Sequence, residues 1–203
     1  MNALAARKLE DLSLAAELER DGIVVIPNLL SNSQLKGMQS AFARNLKRMR
    51  WNDVPGYEKT EPYRHMIQDL LTLDQGFVDA ALNPVITKTI RDYVGRDFAL
   101  VEAKGLLSHP TSADFNGWHG DCWYDQSKVN GVAREVKLAI YLTDVTSGAF
   151  NYVKGSHGEV PRARVPNSEV SSLKNFEILA VTGQAGTAIL FDTSGIHRQG
   201  VPI

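Results

Sequence analysis

The sequence predicts an α+β fold, in which helices of the first half brace a strand-rich second half built as a sandwich or jelly-roll barrel. Three observations carry this. Apolar residues recur at helical spacing up to about residue 95; short β-branched or alternating runs follow; and clusters of Gly, Asn, Pro and Ser separate those runs as antiparallel strands require.

Taken in order, Leu9, Leu12 and Ala16 mark one face of an opening helix that stops at Asp21-Gly22. Ile23 to Ile26 is a β-branched run closed by Pro27, hence a strand. Ser31 and Gln34 have capping-box spacing, and Leu35, Met38, Phe42, Leu46 and Met49 give the second helix its apolar stripe. Its Arg44, Lys47 and Arg48 read as a solvated face. From Trp51 to Pro62 the pattern dissolves into Asn52-Asp53 and Pro55-Gly56, a surface loop or a lid. Asn83 caps a further helix with Pro84 in its first turn, Ile86, Ile90 and Tyr93 on one stripe and Gly95 as its stop. Strands are then predicted at Phe98 to Leu107, around 137–142, and at Phe150 to Val153, Glu177 to Val181 and Thr187 to Phe191. Alternation along 137–142 sends Leu138, Ile140 and Leu142 to one face and Lys137, Ala139 and Tyr141 to the other.

Composition narrows the function. With 203 residues, 43% of them hydrophobic, the chain can bury one sizeable core, and we expect a single domain over 1–203. Its lone cysteine, Cys122, has no intramolecular partner, which fits a reducing, cytoplasmic setting. The 22 basic residues nearly cancel the 23 acidic ones, so no strong field favours nucleic acid or an anionic membrane. Arg7, Lys8, Glu10, Asp11, Glu17, Glu19 and Arg20 break up the start of the chain, and no apolar run approaches the ~20 residues that cross a bilayer. A small-molecule partner is expected.

The sharpest local feature is Trp118-His119-Gly120-Asp121. Residues two apart on a strand share a face, so His119 and Asp121 can both reach one ion. His197, after the turn-like Asp192-Thr193-Ser194-Gly195, is the best second imidazole. Two histidines and one carboxylate leave other positions of an ion open, as non-haem Fe(II) chemistry requires; zinc is the competitor, which raises Cys122 as a donor. On a strand, however, Cys122 points away from the face that His119 and Asp121 share. His157, in a glycine-rich turn, reads as hydrogen-bonded to backbone or solvated, and His65 and His109 have no carboxylate at ligand spacing. Trp118, Trp123 and Tyr124 either line a substrate-binding mouth or pack in the core.

Four ordered segments resemble the phytanoyl-CoA dioxygenase family of Fe(II)- and 2-oxoglutarate-dependent oxygenases. These are Asp21 to Leu30 with the helix after it, the Trp118 to Asp121 motif, Ala139 to Asp144 followed by Gly148 and Gly155-Ser156-His157, and Leu190-Phe191-Asp192 leading to His197. The resemblance implies a double-stranded β-helix, cupin-like, buttressed by the N-terminal helices. It implies iron held by His119, Asp121 and His197, with 2-oxoglutarate and dioxygen as co-substrates. Hydroxylation of a small organic molecule, with release of succinate and carbon dioxide, is the implied reaction. The carboxylate at Asp121 speaks against halogenation, because related halogenases have a small residue there. In that family a basic residue on the strand after the second histidine anchors 2-oxoglutarate. The chain ends at Ile203, so we expect that strand to be missing, with Arg198 facing outward and Tyr141 and Gln199 as the residues left to contact the co-substrate. The alternative class is a non-catalytic jelly-roll binding or scaffold protein that has lost 2-oxoglutarate binding. Retention of all three ligand residues argues against it.

Overall fold

Local signals set the first elements, as the computed structural model shows for residues 13–46, 64–95, 97–110, 117–122, 125–128, 130, 133–159, 162–173 and 176–203. Helix α1 (Leu14–Asp21) is capped by Ser13, whose side chain accepts from the Ala16 N–H, and ends at Gly22 in the left-handed conformation, φ 74°. No other residue suits Gly22: besides the positive φ, a Cβ there would lie 2.4 Å from Tyr152 Oη and 2.5 Å from His157 Nδ1. Leu9 and Leu12 of the predicted opening helix lie outside the described residues. Strand β1 (Ile23–Ile26) follows at once. Helix α2 (Asn32–Asn45) starts with the predicted capping box, Ser31 and Gln34 satisfying each other's backbone N–H groups. Helix α4 (Pro84–Val94) begins under Asn83, whose side chain accepts from Val85 N at 2.9 Å.

Four elements escaped the sequence reading, the three-residue strand β8 (His197–Gln199) among them. Helix α3 (Gln75–Ala81) and helix α5 (Asn167–Ser172) are too short to display an apolar stripe. Strand β2 (Arg64–Ile67) pairs antiparallel with β3 (Gly105–Ser108). The strand predicted from Phe98 is confined to β3. Over 97–104 no strand forms, and Leu100 and Val101 are exposed there, since apolar content alone does not supply a hydrogen-bonding neighbour.

The remaining strands are β4 (Val136–Ile140), β5 (Val145–Val153), β6 (Ile178–Gly183), β7 (Ala188–Asp192) and β8 (His197–Gln199). They form two antiparallel sheets with orders β1-β7-β4 and β6-β5-β8. Side-chain alternation divides the core. Val24, Ile26, Leu138, Ile140, Ala188 and Leu190 pack against Leu18 of α1 and Ile86 and Tyr93 of α4. Ile23, Ile189, Phe191, Ala139 and Tyr141 instead meet Phe150, Tyr152, Leu179 and Val181 of the second sheet. Strand β7 is thus covered on both faces, which is why it is buried throughout and reads as a continuous apolar run. Leu142, just past β4, packs near α2 and α3 beside Met38 and Phe77. The architecture is α+β: two facing three-stranded sheets, with helices on the outer face of one. Among the described residues no closed barrel forms.

Candidate metal centre

An antiparallel bridge brings the two histidines together. The His119 N–H donates to the His197 carbonyl at 3.0 Å and the His197 N–H to the His119 carbonyl at 2.8 Å, so their side chains leave the same face. The ring centroids are 4.5 Å apart. Two residues on, Asp121 is held by its N–H donating to the Thr193 carbonyl at 2.8 Å. Thr193 belongs to the turn after β7, which Asp192 organises. The Asp192 carboxylate accepts from Ser194 N at 2.8 Å and from the Tyr93 hydroxyl of α4 at 2.6 Å, and its carbonyl accepts from the Tyr152 hydroxyl at 2.9 Å. The last predicted segment, Leu190 to His197, therefore supplies both one candidate ligand and the support of another.

The donor atoms converge. His119 Nε2 lies 3.8 Å from Asp121 Oδ1, His197 Nε2 lies 3.9 Å from Asp121 Oδ2, and one ligand atom from each residue falls within 4.8 Å of the others. His119 Nδ1 is 2.8 Å from the Gly117 carbonyl and His197 Nδ1 is 2.8 Å from the Gly195 carbonyl. A carbonyl only accepts, so each Nδ1 carries the proton and each Nε2 offers its lone pair toward the carboxylate. All three residues are buried, between 5% and 7% exposed. Phe150, Phe191 and Tyr152 surround the His197 ring, with centroids 5.7, 5.3 and 6.4 Å away.

Electrostatics agree with metal binding. Burial lowers the His197 pKa to about 4, with the neighbouring His119 adding to the shift, so this imidazole is neutral near pH 7, as a ligand must be. Burial opposes ionisation of Asp121, but the Lys137 ammonium, which hydrogen-bonds the carboxylate, and the two histidines outweigh it and hold its pKa below the ordinary value. Two imidazole nitrogens and one carboxylate on one side of a point suit a divalent ion with open positions. The Cys122 thiol is free and is not part of the cluster, in line with its expected place on the face away from His119 and Asp121.

Other candidates fall elsewhere. Of the two places left open for Trp118, substrate mouth or core, the structure has the core: it is buried with Val153, Val165, Val170 and Ile196, because its neighbour His119 takes the opposite face. The Arg198 guanidinium stacks over the buried Trp118 ring at 4.4 Å, on the face opposite the His197 side chain. Tyr141, offered as a co-substrate contact, points between the sheets, but its hydroxyl donates to the Val181 carbonyl at 2.7 Å and accepts from Phe150 N at 3.2 Å. Both hydrogen-bonding roles are filled by backbone. Gln199 shares the side of His197 yet is exposed, and its amide donates to the Gly148 carbonyl. Trp123, Tyr124, the stretch from Trp51 to Pro62 and residues 111–116 lie outside the described residues. His157 Nε2 lies 3.1 Å from the Glu19 carbonyl, joining its turn to α1 as a backbone-bonded histidine. The residue that sequence reasoning passed over is Lys137. Its signal was present, since alternation had already put it on the face of Ala139 and Tyr141.

Comparison with known proteins follows the same line. A family model described as phytanoyl-CoA dioxygenase matches residues 18–200. An ectoine dioxygenase of Stutzerimonas stutzeri (strain A1501) is 27% identical over 223 residues, covering 93% of this chain and 72% of the relative. Among solved structures, the non-haem α-ketoglutarate-dependent carbocyclase SnoK from nogalamycin biosynthesis superposes with a TM-score of 0.71 at 19% identity, covering 96% of this chain and 79% of that one. EctD from S. alaskensis, with 2-oxoglutarate and 5-hydroxyectoine, gives 0.69 at 20% identity, covering 93% and 70%. HygX from Streptomyces hygroscopicus, with nickel, 2-oxoglutarate and hygromycin B, gives 0.62 at 21% identity, covering 91% and 80%. These structural likenesses are likenesses of fold. No helix among the described residues is long and apolar enough to cross a membrane.

Proposed function

The chain belongs to the phytanoyl-CoA dioxygenase family, and from that premise we propose that it is an Fe(II)- and 2-oxoglutarate-dependent dioxygenase that hydroxylates a small organic molecule, using His119, Asp121 and His197 to hold the metal. The observation that carries the reading is the convergence of two Nε2 lone pairs and one carboxylate in a buried cluster. The double-stranded β-helix belongs to the same proposal, which the two facing antiparallel sheets support.

When bound, iron and 2-oxoglutarate supply the oxidising chemistry, dioxygen giving one oxygen atom to a substrate C–H bond and the other to succinate as carbon dioxide leaves. The protein's residues prepare the site for it. The Gly117 and Gly195 carbonyls hold the two Nδ1–H groups, so each ring turns its Nε2 toward the metal position. Thr193, through its carbonyl, keeps Asp121 beside His119. Phe150, Tyr152 and Phe191 pack around the His197 ring and keep that side of the site apolar. The substrate reading is supported by the small molecules in the neighbouring structures, 5-hydroxyectoine and hygromycin B.

The test is succinate formation from 2-oxoglutarate by the Fe(II)-loaded protein, screened against small cyclic solutes and glycosides. We expect turnover that falls at least about 100-fold in His119→Ala, Asp121→Ala and His197→Ala, since removal of a metal ligand removes the centre. Equal turnover in wild type and all three variants would overturn the assignment.

A further inference from the structure

The turn between β7 and β8 is also held by the residues just before β4. The Ala133 carbonyl accepts from the Ser194 hydroxyl at 3.2 Å, and the Glu135 carbonyl accepts from Thr193 N at 2.9 Å. Between them, the Arg134 side chain reaches out to the helices. Its Nη1 donates to the Tyr93 carbonyl at 2.5 Å and to Glu19 Oε2 at 2.8 Å, and its Nη2 donates to Glu19 Oε1 at 3.0 Å. The guanidinium carbon lies over the Tyr93 ring, 4.5 Å from its centroid. Glu19 belongs to α1 and Tyr93 to the last turn of α4, where carbonyls lack helical donors. One planar cation thus fastens both helices.

Tyr93 passes this restraint to the turn. Its hydroxyl donates to Asp192 Oδ2 at 2.6 Å, and Asp192 Oδ1 accepts from Ser194 N at 2.8 Å. Burial, together with the adjoining carboxylate, raises the Tyr93 pKa well above its ordinary value, so the hydroxyl keeps its proton and remains a donor. Asp192 is 2% exposed, and loss of that bond would strand a carboxylate oxygen away from water. From the same turn, the Thr193 carbonyl holds Asp121 N and the Gly195 carbonyl holds His197 Nδ1, each at 2.8 Å. Two of the three candidate ligands therefore depend on where this turn sits.

We infer that Arg134 is a positioning residue of the metal centre: paired with Glu19 and stacked on Tyr93, it sets the Tyr93 hydroxyl against Asp192 and thereby the places of Asp121 and His197. This rests on the reading of His119, Asp121 and His197 as metal ligands, on which Arg134 acts through Tyr93 and the turn.

The experiment is a double-mutant cycle on the full chain, read by equilibrium dialysis with Mn(II). Arg134→Met removes the cation and keeps an unbranched side chain, while Tyr93→Phe removes the hydroxyl alone. Each single variant weakens Mn(II) binding by about 10-fold, the lower end of what loss of a group supporting a metal ligand costs. Because the two act in series, the double variant is also about 10-fold weaker, whereas independent effects would multiply to about 100-fold. Ile86→Val, in the core that Tyr93 shares, is the control for stability: it lowers Tm and leaves Mn(II) affinity unchanged. Should Arg134→Met not fold, Glu19→Gln replaces it in the cycle, with a loss of about 3-fold that vanishes in the Tyr93→Phe background. Unchanged affinity in Arg134→Met, a double variant about 100-fold weaker, or an equal loss in Ile86→Val overturns the inference and leaves the metal ligands standing. A wild type that binds no Mn(II), or binds it no better than His119→Ala, overturns both.

Discussion

At the scale of single residues, the triad works because backbone carbonyls orient both imidazole rings in advance. His197 is the clearest case, with its ring in an aromatic cage and its Nδ1–H committed to the Gly195 carbonyl. Its pKa is lowered to about 4, against an ordinary value of 6.5. In the unfolded chain this imidazole takes up a proton below about pH 6.5, whereas the folded protein resists protonation until about pH 4. The unfolded state thus binds more protons in that window, and stability falls as pH falls through it. We predict that the metal-free protein loses up to about 3 kcal/mol between pH 6.5 and pH 4 through this group, measured as the shift in urea midpoint. His197→Asn should flatten that part of the profile. An unchanged slope would place the cost elsewhere. The His119 and Asp121 pair was legible in the sequence, because strand periodicity puts residues two apart on one face, and His197 was legible from its place after a strand and turn. Trp118 was not, since an aromatic beside a ligand residue has the same signature whether it faces a mouth or a core.

Elements supply the precision that residues alone lack. The turn between β7 and β8 is the hinge point of the site: Asp192 ties it to α4 through Tyr93, Thr193 supports Asp121, and Gly195 fixes the His197 ring. Gly195 has no room for a side chain. A Cβ there would sit 2.0 Å from the hydroxyl of Tyr152, which is fully buried and already donates to the Asp192 carbonyl. Gly195→Ala should therefore cost about 1–3 kcal/mol from overpacking, lowering Tm by roughly 3–10 °C, and should weaken Mn(II) binding in dialysis. A variant with the wild-type Tm and Mn(II) affinity would show that the turn is not rigid. Helices α2 and α4 could be read from caps and periodicity, and strand β7 from its continuous apolar run. Strand β2 could not, because pairing of Arg64–Ile67 with Gly105–Ser108 is a long-range choice that four residues do not encode.

For the whole molecule, the sheets and helices act as one support. Strand β7 is the shared wall, packing outward on α1 and α4 and inward on the second sheet, so the metal-site turn emerges from the best-buried strand of the fold. The order of helices before strands was visible in composition and period, and the distribution of β4 side chains between two cores follows directly from alternation. Lys137 shows the limit of that reading. Its face was predictable, but its pairing with Asp121 depends on the approach of β4 to the His119 segment, which only the tertiary structure provides. The central claim is that iron and 2-oxoglutarate bind together at His119, Asp121 and His197. An anaerobic visible spectrum of the protein with Fe(II), before and after addition of 2-oxoglutarate, tests it most directly. The account predicts a new metal-to-ligand charge-transfer band that is absent from His119→Ala. Loss of Fe(II) binding in wild type, or an identical band in His119→Ala, would contradict it.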